Sequence, residues 1–231
     1  MKAALLVPAA GQGLRFGSHV KKPYIELAGR PVFLRTLDRF RDVEAITCRI
    51  LVVGPDDLDF VRCNYQHELD TLGVEHLACG GRERYDSVTA GLKCVPDECE
   101  LVAVHDAVRP LVPLRAIVEA LTVAEQIGAA CVGMPVHDTI KRVADGNIVE
   151  ETIPRKSLWA AQTPQVFRTA LLRQAYERLH MFPGTVTDDA QLIEALGHPV
   201  AMVEGSLANI KITTPADLHL AEAYLAQVNE S

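Results

Sequence analysis

The residue pattern that most clearly points to chemistry is a glycine-rich stretch near the N-terminus, PAAGQGLRFG, at residues 8–17. Small residues allow the backbone to approach a ligand closely, and successive backbone N–H groups in such a turn can surround an anion. Arg15 adds a positive charge within the stretch, and Lys22 follows a few residues later. The pattern is therefore typical of a site that binds phosphate groups.

Two common phosphate-binding motifs do not match this stretch. A P-loop requires Gly-Lys-Ser/Thr after its glycines, and that triplet is absent. A Rossmann dinucleotide fingerprint requires glycine at the position of Phe16 and an acidic residue after the second strand, where Gly54 and Pro55 stand. A plain strand-to-helix turn remains open as an alternative, because the glycines alone do not decide.

Two further motifs follow apolar runs that we interpret as buried strands. Gly80 and Gly81 precede a helix that carries Ser87, so the backbone can approach a base there while Ser87 hydrogen-bonds to it. Asp106 follows the run 101–105, and a carboxylate in that position can hold Mg²⁺ or a ribose hydroxyl. We expect the neighbouring His105 to be a structural residue rather than a ligand.

The remaining polar motifs supply cations and hydroxyl groups that suit a phosphorylated acceptor. Each is more often structural when it occurs alone, so the argument depends on their occurring together. They are Asp138-Thr139, Arg155, Thr163-Pro164-Gln165, Thr187-Asp188 and the segment NIKIT that contains Lys211.

Alternating apolar runs and helical patterns predict the elements that position these residues. We predict strands at 3–7, 50–53, 101–105, 130–134 and 200–203. We predict helices at 32–40, 57–72, 84–94, 114–127, 169–179, 188–196 and 215–227. Such alternation indicates an α/β fold with a mainly parallel sheet flanked by helices, whose ligands bind beyond the carboxyl ends of the strands.

One segment departs from the alternation and predicts a projecting β-hairpin arm. Strand-like runs at 139–143 and 147–153 flank Asp145-Gly146, which is a strong hairpin turn signal. An isolated two-stranded hairpin is marginally stable in water, so the arm needs a partner surface. We therefore expect a homodimer, formed by a single domain over 1–231 with its arm at about 136–156.

Composition excludes several other classes of protein. The 231-residue chain has a net charge of −7 and no basic stripe, which argues against binding long nucleic acid. Its first apolar run is too short to cross a membrane, and we expect no membrane association. The six cysteines form no CxxC pair, so we expect a reducing cytoplasm, no disulfide framework and no structural zinc.

Taken in order, the motifs resemble those of the 2-C-methyl-D-erythritol 4-phosphate cytidylyltransferase family of non-mevalonate isoprenoid biosynthesis. The resemblance spans residues 4 to about 225 and includes PAAGQGLRFG, KKPY, GGRERYDSV, VHDAVRP, VHDTIKR, LWAAQTPQ, TDD and NIKIT. It implies a Rossmann-like sheet of the nucleotide-diphospho-sugar transferase type, with CTP and a polyol phosphate as substrates. It also implies Mg²⁺, held mainly by the phosphates with Asp106 as a candidate ligand, and a dimer that exchanges its arms.

The resemblance also implies a role for individual residues. The catalytic residues would be Arg15, Lys22, Arg155 and Lys211. CTP would be bound by Pro8, Ala9, Ala10, Gly11, Gly13, Gly81, Ser87, Asp106 and Ala107. The acceptor would be bound by Asp106, Arg109, Thr139, Arg155, Thr163, Thr187 and Lys211, with Arg155 and Thr139 serving the partner's site. Arg82, Pro23 and Val108 depart from the commoner residues of the family.

Three other functions remain open from the sequence. Ribitol-5-phosphate cytidylyltransferase performs the same chemistry on another polyol phosphate. A sugar-1-phosphate nucleotidyltransferase would use another base. A nucleotide-binding module without catalysis would keep the glycine-rich loop without turnover.

Overall fold

The computed structural model describes residues 1–11 and 21–229, and within them the chain alternates between strands and helices. The strands are β1 (Ala3–Pro8), β2 (Glu26–Leu27), β3 (Arg30–Pro31), β4 (Ile46–Val53), β5 (His76–Cys79), β6 (Leu101–Val104), β7 (Ala129–Pro135), β8 (Ile140–Val143), β9 (Val149–Ile153), β10 (Trp159–Arg168) and β11 (Ala201–Glu204). The helices are α1 (Val32–Asp38), α2 (Leu58–Thr71), α3 (Arg84–Leu92), α4 (Leu114–Ile127), α5 (Thr169–Glu177), α6 (Asp189–Ala195) and α7 (Pro215–Asn229).

Seven of these strands form the central sheet, in the order β11-β7-β10-β6-β1-β4-β5. Every pairing in it is parallel except those of β10, which runs antiparallel to both β6 and β7. The carboxyl ends of β1, β4, β5 and β6 therefore meet at one edge of the sheet. Ligands of open α/β sheets bind beyond that edge.

Helices cover both faces of the sheet, because its central strands are apolar on both sides. On one face, α1, α2 and α4 bury a cluster that includes Phe33, Leu69 and Ile117. On the other face, α3, α5 and α6 bury a cluster that includes Val88 and Leu172. Burying both faces is what a mostly parallel sheet requires, and it holds the strand ends in fixed positions.

The last helix, α7, begins with a capping arrangement formed by Thr213, Thr214 and Asp217. The Thr213 and Thr214 backbone N–H groups donate to the Asp217 carboxylate at 2.9 and 2.8 Å, and the Asp217 N–H donates to the Thr214 hydroxyl at 3.3 Å. These contacts satisfy backbone donors at the helix N-terminus. They also fix the segment that precedes α7, which carries Lys211.

The predicted α/β class and mainly parallel sheet are confirmed, with shifts at the ends of elements. The five predicted strands and seven predicted helices are all present. The sequence reasoning missed β5 and the short pair β2 and β3, and it also missed β10, which is ten residues long and lies inside the sheet. Pro164 and small polar residues in β10 disguise a strand whose register is interrupted between Ala161 and Gln165.

The predicted hairpin is also present. Strands β8 and β9 form a separate two-stranded sheet, and the turn between them places Gly146 at φ 76°. Ile148 is 67% exposed and Val149 is 53% exposed. The two strands pack on each other and make few contacts with the rest of the chain. The arm therefore has almost no core of its own.

No helix in the described part of the chain is both long enough and apolar enough to cross a lipid bilayer.

Candidate active site

The segments that follow β1, β5 and β6 lie together at the carboxyl edge of the sheet. The Ala9 N–H donates to the Val52 carbonyl oxygen at 2.7 Å, and the Gly80 N–H donates to the Val53 carbonyl oxygen at 2.8 Å. Both contacts attach loop backbone to the end of β4. The glycine-rich start of the chain and the Gly80-Gly81 turn are thereby fixed next to each other.

Gly80 is required by close packing at this edge. A Cβ atom at Gly80 would lie 2.6 Å from the Ser87 hydroxyl oxygen and 2.8 Å from the Ala10 Cβ. A Cβ at Gly81 would collide with the Asp86 side chain at the start of α3. The two glycines therefore allow the first turn of α3, with Ser87, to come against the loop after β1.

Two cavities open at this edge, and they share one wall. The first, of about 210 Å³, is lined by Pro8, Ala9, Ala10, Gly11, Lys22, Pro23, Arg82, Glu83, Arg84, Ser87, Asp106, Ala107, Val108, Lys211 and Thr213. The second, of about 250 Å³, is lined by Arg84, Asp106, Arg109, Ala161, Gln162, Thr163, Gln165, Thr187, Asp188 and Lys211. Arg84, Asp106 and Lys211 line both cavities, so a ligand in each would meet at these three side chains.

Asp106 is surrounded by cations. Its carboxylate oxygens lie 2.8 Å from Lys211 Nζ, 3.4 Å from Arg84 Nε and 3.5 Å from Arg109 Nε. Burial alone would raise the pKa of this carboxyl group, but Lys211, Arg84 and Arg109 outweigh it and hold that pKa well below its usual range. Asp106 is therefore ionised, and it orients the cations that face both cavities.

Arg84 is held from the opposite side by Asp189, a carboxylate with no solvent exposure. Arg84 Nη2 donates to Asp189 Oδ2 at 2.7 Å, and the Tyr176 hydroxyl donates to Asp189 Oδ1 at 2.5 Å. Burial and the neighbouring Asp189 both raise the pKa of Tyr176, so it stays protonated as a donor. The chain Tyr176–Asp189–Arg84 connects α5 and α6 to the wall between the cavities.

A second network fixes the backbone at Asp106. The Asp106 N–H donates to the Thr163 hydroxyl at 3.0 Å, and that hydroxyl lies 3.0 Å from His105 Nδ1. His105 Nε2 lies 3.0 Å from the Arg109 carbonyl oxygen, which can only accept. Nε2 therefore carries the proton, and Nδ1 accepts from Thr163. Burial lowers the pKa of His105 to about 4, in keeping with this neutral form and with the predicted structural role.

Asn209 attaches the segment bearing Lys211 to β10. Its side-chain amide donates to the Gln162 Oε1 and to the Thr163 carbonyl oxygen, both at 2.9 Å. The backbone carbonyl oxygen of Asn209 accepts from Arg109 Nη1 at 2.7 Å. Asn209 has no solvent exposure, so Lys211 extends towards Asp106 from a fixed backbone.

The two adjacent lysines have different surroundings. Lys21 Nζ forms an ion pair with Asp57 Oδ1 at 2.7 Å, which directs it towards the segment after β4. Lys22 lines the first cavity. Of the two lysines, Lys22 is therefore the one that faces the first cavity.

Comparison with known proteins identifies the family. A sequence model described as 2-C-methyl-D-erythritol 4-phosphate cytidylyltransferase matches residues 3–227. A protein of that name from Syntrophotalea carbinolica is 46% identical over 228 residues, which cover 97% of each chain. Another from Syntrophus aciditrophicus is 42% identical over 224 residues, which cover 97% of this chain and 96% of the relative. The chain belongs to the 2-C-methyl-D-erythritol 4-phosphate cytidylyltransferase family.

Solved structures of the cytidylyltransferase family share the fold. The 4-diphosphocytidyl-2C-methyl-D-erythritol synthase of Anaerococcus prevotii superimposes with a TM-score of 0.85 at 33% identity, covering 97% of this chain and 96% of that one. The 2-C-methyl-D-erythritol 4-phosphate cytidylyltransferase of Thermus thermophilus gives a TM-score of 0.80 at 34% identity, covering 98% of this chain and all of that one. The predicted Rossmann-like architecture is thus that of the family.

Most residues that the sequence assigned to the cytidylyltransferase site lie on the two cavities. The nucleotide set Pro8, Ala9, Ala10, Gly11, Ser87, Asp106 and Ala107 lines the first cavity. The acceptor set Asp106, Arg109, Thr163, Thr187 and Lys211 lines the second. Gly81 lies beside the first cavity without lining it. Arg15 and Gly13 lie outside the described residues, so their predicted roles stay predictions.

Thr139 and Arg155 lie away from both cavities, at the base of the arm. Both are exposed, and the Arg155 guanidinium donates to the His137 carbonyl oxygen. Their assignment to the acceptor therefore depends on a second subunit. This assignment of Thr139 and Arg155 to the acceptor also stays a prediction.

The sequence reasoning gave no individual role to several residues of the site. Arg84 lines both cavities, and Gln162, Gln165 and Asp188 line the second. For Arg84 a signal was available, because it starts the helix that follows the Gly80-Gly81 turn. Gln162 and Gln165 lie on β10, which was not predicted as a strand.

Proposed function

We propose that this protein catalyses the transfer of a cytidylyl group from CTP to 2-C-methyl-D-erythritol 4-phosphate. The products are 4-diphosphocytidyl-2-C-methyl-D-erythritol, an intermediate of non-mevalonate isoprenoid biosynthesis, and pyrophosphate. The observation that carries the proposal is the pair of cavities that meet at Arg84, Asp106 and Lys211. A reaction between two phosphorylated substrates needs two binding sites that converge on the reacting atoms.

CTP binds in the first cavity in this proposal. The small residues from Pro8 to Gly11 let the backbone approach the nucleotide, and Lys22 contributes positive charge for its phosphates. Ser87 is buried near the start of α3 and lines the first cavity, and the Gly80-Gly81 turn lets it lie against the loop after β1, where its hydroxyl would contact the base or ribose. Arg15 is proposed as a second phosphate contact from the sequence resemblance.

The acceptor binds in the second cavity, with its phosphate towards the shared wall. Arg109 and Lys211 supply positive charge there, and the hydroxyl of Thr187 supplies a hydrogen-bonding group. A phosphate oxygen of the acceptor attacks the α-phosphorus of CTP, a new P–O bond forms, and the bond to the leaving pyrophosphate breaks. The acceptor phosphate is already ionised, so the step needs no protein base. The protein contributes positioning and charge stabilisation.

Magnesium is proposed as the metal of the reaction, where it would neutralise charge on the triphosphate. Mg²⁺ prefers oxygen ligands and is commonly held by substrate phosphates with one or two carboxylates. Both oxygens of Asp106 already face cationic side chains at 2.8–3.5 Å, and Glu83 caps α3 through its side chain. These carboxylates fit a metal that would be held mainly by phosphate oxygens, with Asp106 as the candidate protein ligand.

A homodimer is proposed from the arm. Val143, Ile148 and Val149 are each about half exposed or more, and the two strands of the arm pack mainly on each other. A partner subunit would cover these apolar side chains and would receive Thr139 and Arg155 at its acceptor site. Sedimentation of wild type and of Ile148→Asp tests this. A wild-type dimer that the variant weakens supports the arm, and an equally stable variant dimer contradicts it.

The cytoplasm is the proposed location, since CTP is available there. The six free cysteines suit its reducing conditions.

Pyrophosphate release with purified protein and Mg²⁺ tests the proposed reaction. The first set of reactions varies the acceptor at fixed CTP, comparing 2-C-methyl-D-erythritol 4-phosphate with ribitol 5-phosphate. The second set replaces CTP with ATP, GTP and UTP. Turnover confined to CTP with the methylerythritol phosphate is expected. Preference for ribitol 5-phosphate or for another nucleotide would replace the proposal with one of its alternatives.

A further inference from the structure

A second group of chemically active side chains lies near the starts of β4 and β5, whereas the two cavities lie at the carboxyl ends of the strands. Cys48 lies on β4, Glu75 immediately precedes β5, and His76 begins it. Sulfur, carboxylate oxygen and imidazole nitrogen atoms of these residues all lie within 4.8 Å of one another. His76 and Gly80 are four positions apart in the chain, which corresponds to roughly 13 Å along a strand. The group is therefore separate from the nucleotide cavity.

The pairing of β4 with β5 explains why these residues converge. Ile50 is opposite His76 in the parallel register, and Cys48 lies on the same face of β4 as Ile50 because side chains alternate along a strand. The Glu75 N–H donates to the Arg49 carbonyl oxygen at 3.0 Å, which ties the start of β5 to β4. The ligand atoms are therefore positioned by the sheet rather than by a mobile loop.

The group is open to solvent on one side. Glu75 and His76, together with Cys94, line a surface cavity of about 340 Å³. Cys48 lies behind them and is only 2% exposed. An ion entering this cavity would first meet the imidazole and carboxylate groups, with the buried thiol as the innermost ligand.

The three donor types match a borderline-soft divalent metal. Zinc is commonly bound by thiolate, imidazole and carboxylate ligands, and three protein ligands leave a fourth position for water. One thiolate and one carboxylate would balance the two positive charges of the ion. Calcium and magnesium would not favour a sulfur ligand. The cysteine spacing gave no sign of this arrangement, because the ligands come from two strands that pair only in the fold.

We propose that Cys48, Glu75 and His76 form a binding site for zinc or a similar divalent transition metal. Burial and the adjacent Glu75 raise the pKa of the Cys48 thiol to about 12, so the thiol is protonated before metal arrives. On binding, the S–H bond breaks, a sulfur–metal bond forms, and the proton leaves to solvent through the cavity. The ion joins the starts of two adjacent strands and stabilises this edge of the sheet.

Cobalt titration provides the test, because a thiolate–Co²⁺ bond has its own charge-transfer absorption. Metal-stripped protein is titrated with Co²⁺ under a non-chelating reductant, and zinc is then added. The proposal expects a thiolate–cobalt band that saturates at one equivalent and disappears on zinc addition. It expects the Cys48→Ala variant to lack the band and His76→Gln to weaken binding by at least about tenfold. Absence of the band in wild type, or its persistence in Cys48→Ala, overturns the proposal.

Matched controls separate this site from general thiol or imidazole binding. Cys79→Ser removes an exposed cysteine at the far end of β5, and His219→Gln removes an exposed histidine on α7. Both variants should bind Co²⁺ like wild type, and loss of the band in Cys79→Ser would contradict the assignment.

A second variant covers the case in which Cys48→Ala fails to fold. Glu75 is exposed and His76 is partly exposed, so the Glu75→Gln/His76→Gln double variant should fold like wild type and bind Co²⁺ at least about tenfold more weakly. A double variant that folds and binds Co²⁺ like wild type overturns the proposal.

Discussion

Replacing Lys211 by methionine is expected to abolish most turnover while leaving the fold intact. Lys211 Nζ lies 2.8 Å from Asp106 Oδ2 in the wall shared by the two cavities, where the attacked α-phosphate is proposed to lie. Methionine keeps much of the length of the side chain and removes its charge. By analogy with removal of one oxyanion donor, kcat should fall by roughly two to three orders of magnitude, or about 2.7–4 kcal/mol.

The same substitution should change stability little. Asp106 would keep Arg84 at 3.4 Å and Arg109 at 3.5 Å, so its carboxylate would not be left without cations. The Lys211 side chain is 44% exposed and that of Asp106 only 10%, so solvent screens the pair at the lysine end, and its loss should cost less than the roughly 3–5 kcal/mol of a fully buried pair. Loss of activity therefore cannot be attributed to unfolding if urea denaturation of the variant resembles that of wild type.

The assay is steady-state pyrophosphate release with both substrates varied. Lys93→Met serves as the control, because Lys93 is exposed at the end of α3 and lines neither cavity. The reasoning predicts a large fall in kcat for Lys211→Met and a wild-type rate for the control. If Lys211→Met turns over within a few-fold of wild type, Lys211 does not stabilise the transition state and the shared-wall mechanism is wrong.

Four further predictions follow from the contacts of individual residues. Lys22→Ala should reduce kcat by roughly two to three orders of magnitude in the same assay, because it removes a cation from the first cavity, where CTP is proposed to bind. Arg82→Ala should raise the KM for CTP with little effect on the KM for the acceptor, since Arg82 lines only the first cavity; an unchanged KM for CTP would exclude this contact. Tyr176→Phe should lower the free energy of unfolding by about 1.5–3 kcal/mol, because it removes a hydrogen bond to the buried Asp189 carboxylate, and a smaller change in urea denaturation would contradict that contact. The pKa of His105 is lowered to about 4 from its usual 6.5, so on acidification the unfolded chain takes up a proton at this residue before the folded chain does. The free energy of unfolding should therefore fall by about 2 kcal/mol from pH 7.5 to pH 5, as urea denaturation at both pH values would measure. A His105→Gln variant with the same pH dependence would show that another group is responsible.

The sequence predicted the parts of the fold whose local pattern agrees with their final environment. Strand β1 is a continuous apolar run that is buried on both faces, and α4 was predicted with the bounds that it has. The arm was predicted from its turn residues and from its mixture of apolar and charged side chains. For β1 and α4, local pattern and tertiary packing favour the same structure, whereas the arm has little tertiary packing and follows from its local pattern alone.

Elements that depend on tertiary packing could not be predicted in this way. Strand β10 contains Pro164 and several small residues, and it is recognisable as a strand only between β6 and β7. Strand β5 has four residues, too few to establish a period. Because β10 was not predicted, Gln162 and Gln165 received no individual role, although both lie in the segment LWAAQTPQ that carries the family resemblance.

The candidate site was predicted where residue type and position within an element were both informative. Asp106 directly follows a buried strand, and this placed it at the carboxyl edge, where the structure has it. The role of Asp189 could not be inferred, because it arises from contacts with Arg84 and Tyr176 that are distant along the chain. Its sequence position indicates only the start of α6.

Phosphorus NMR of a single reaction mixture tests the proposed cytidylyl transfer most directly. CTP, 2-C-methyl-D-erythritol 4-phosphate, Mg²⁺ and the purified protein are incubated together, with each component omitted in turn. The account predicts loss of both substrate signals and the appearance of free pyrophosphate with two coupled resonances of an unsymmetrical diphosphate, only in the complete mixture. Unchanged substrate signals with a folded protein that binds CTP would contradict it and would favour a nucleotide-binding module without catalysis.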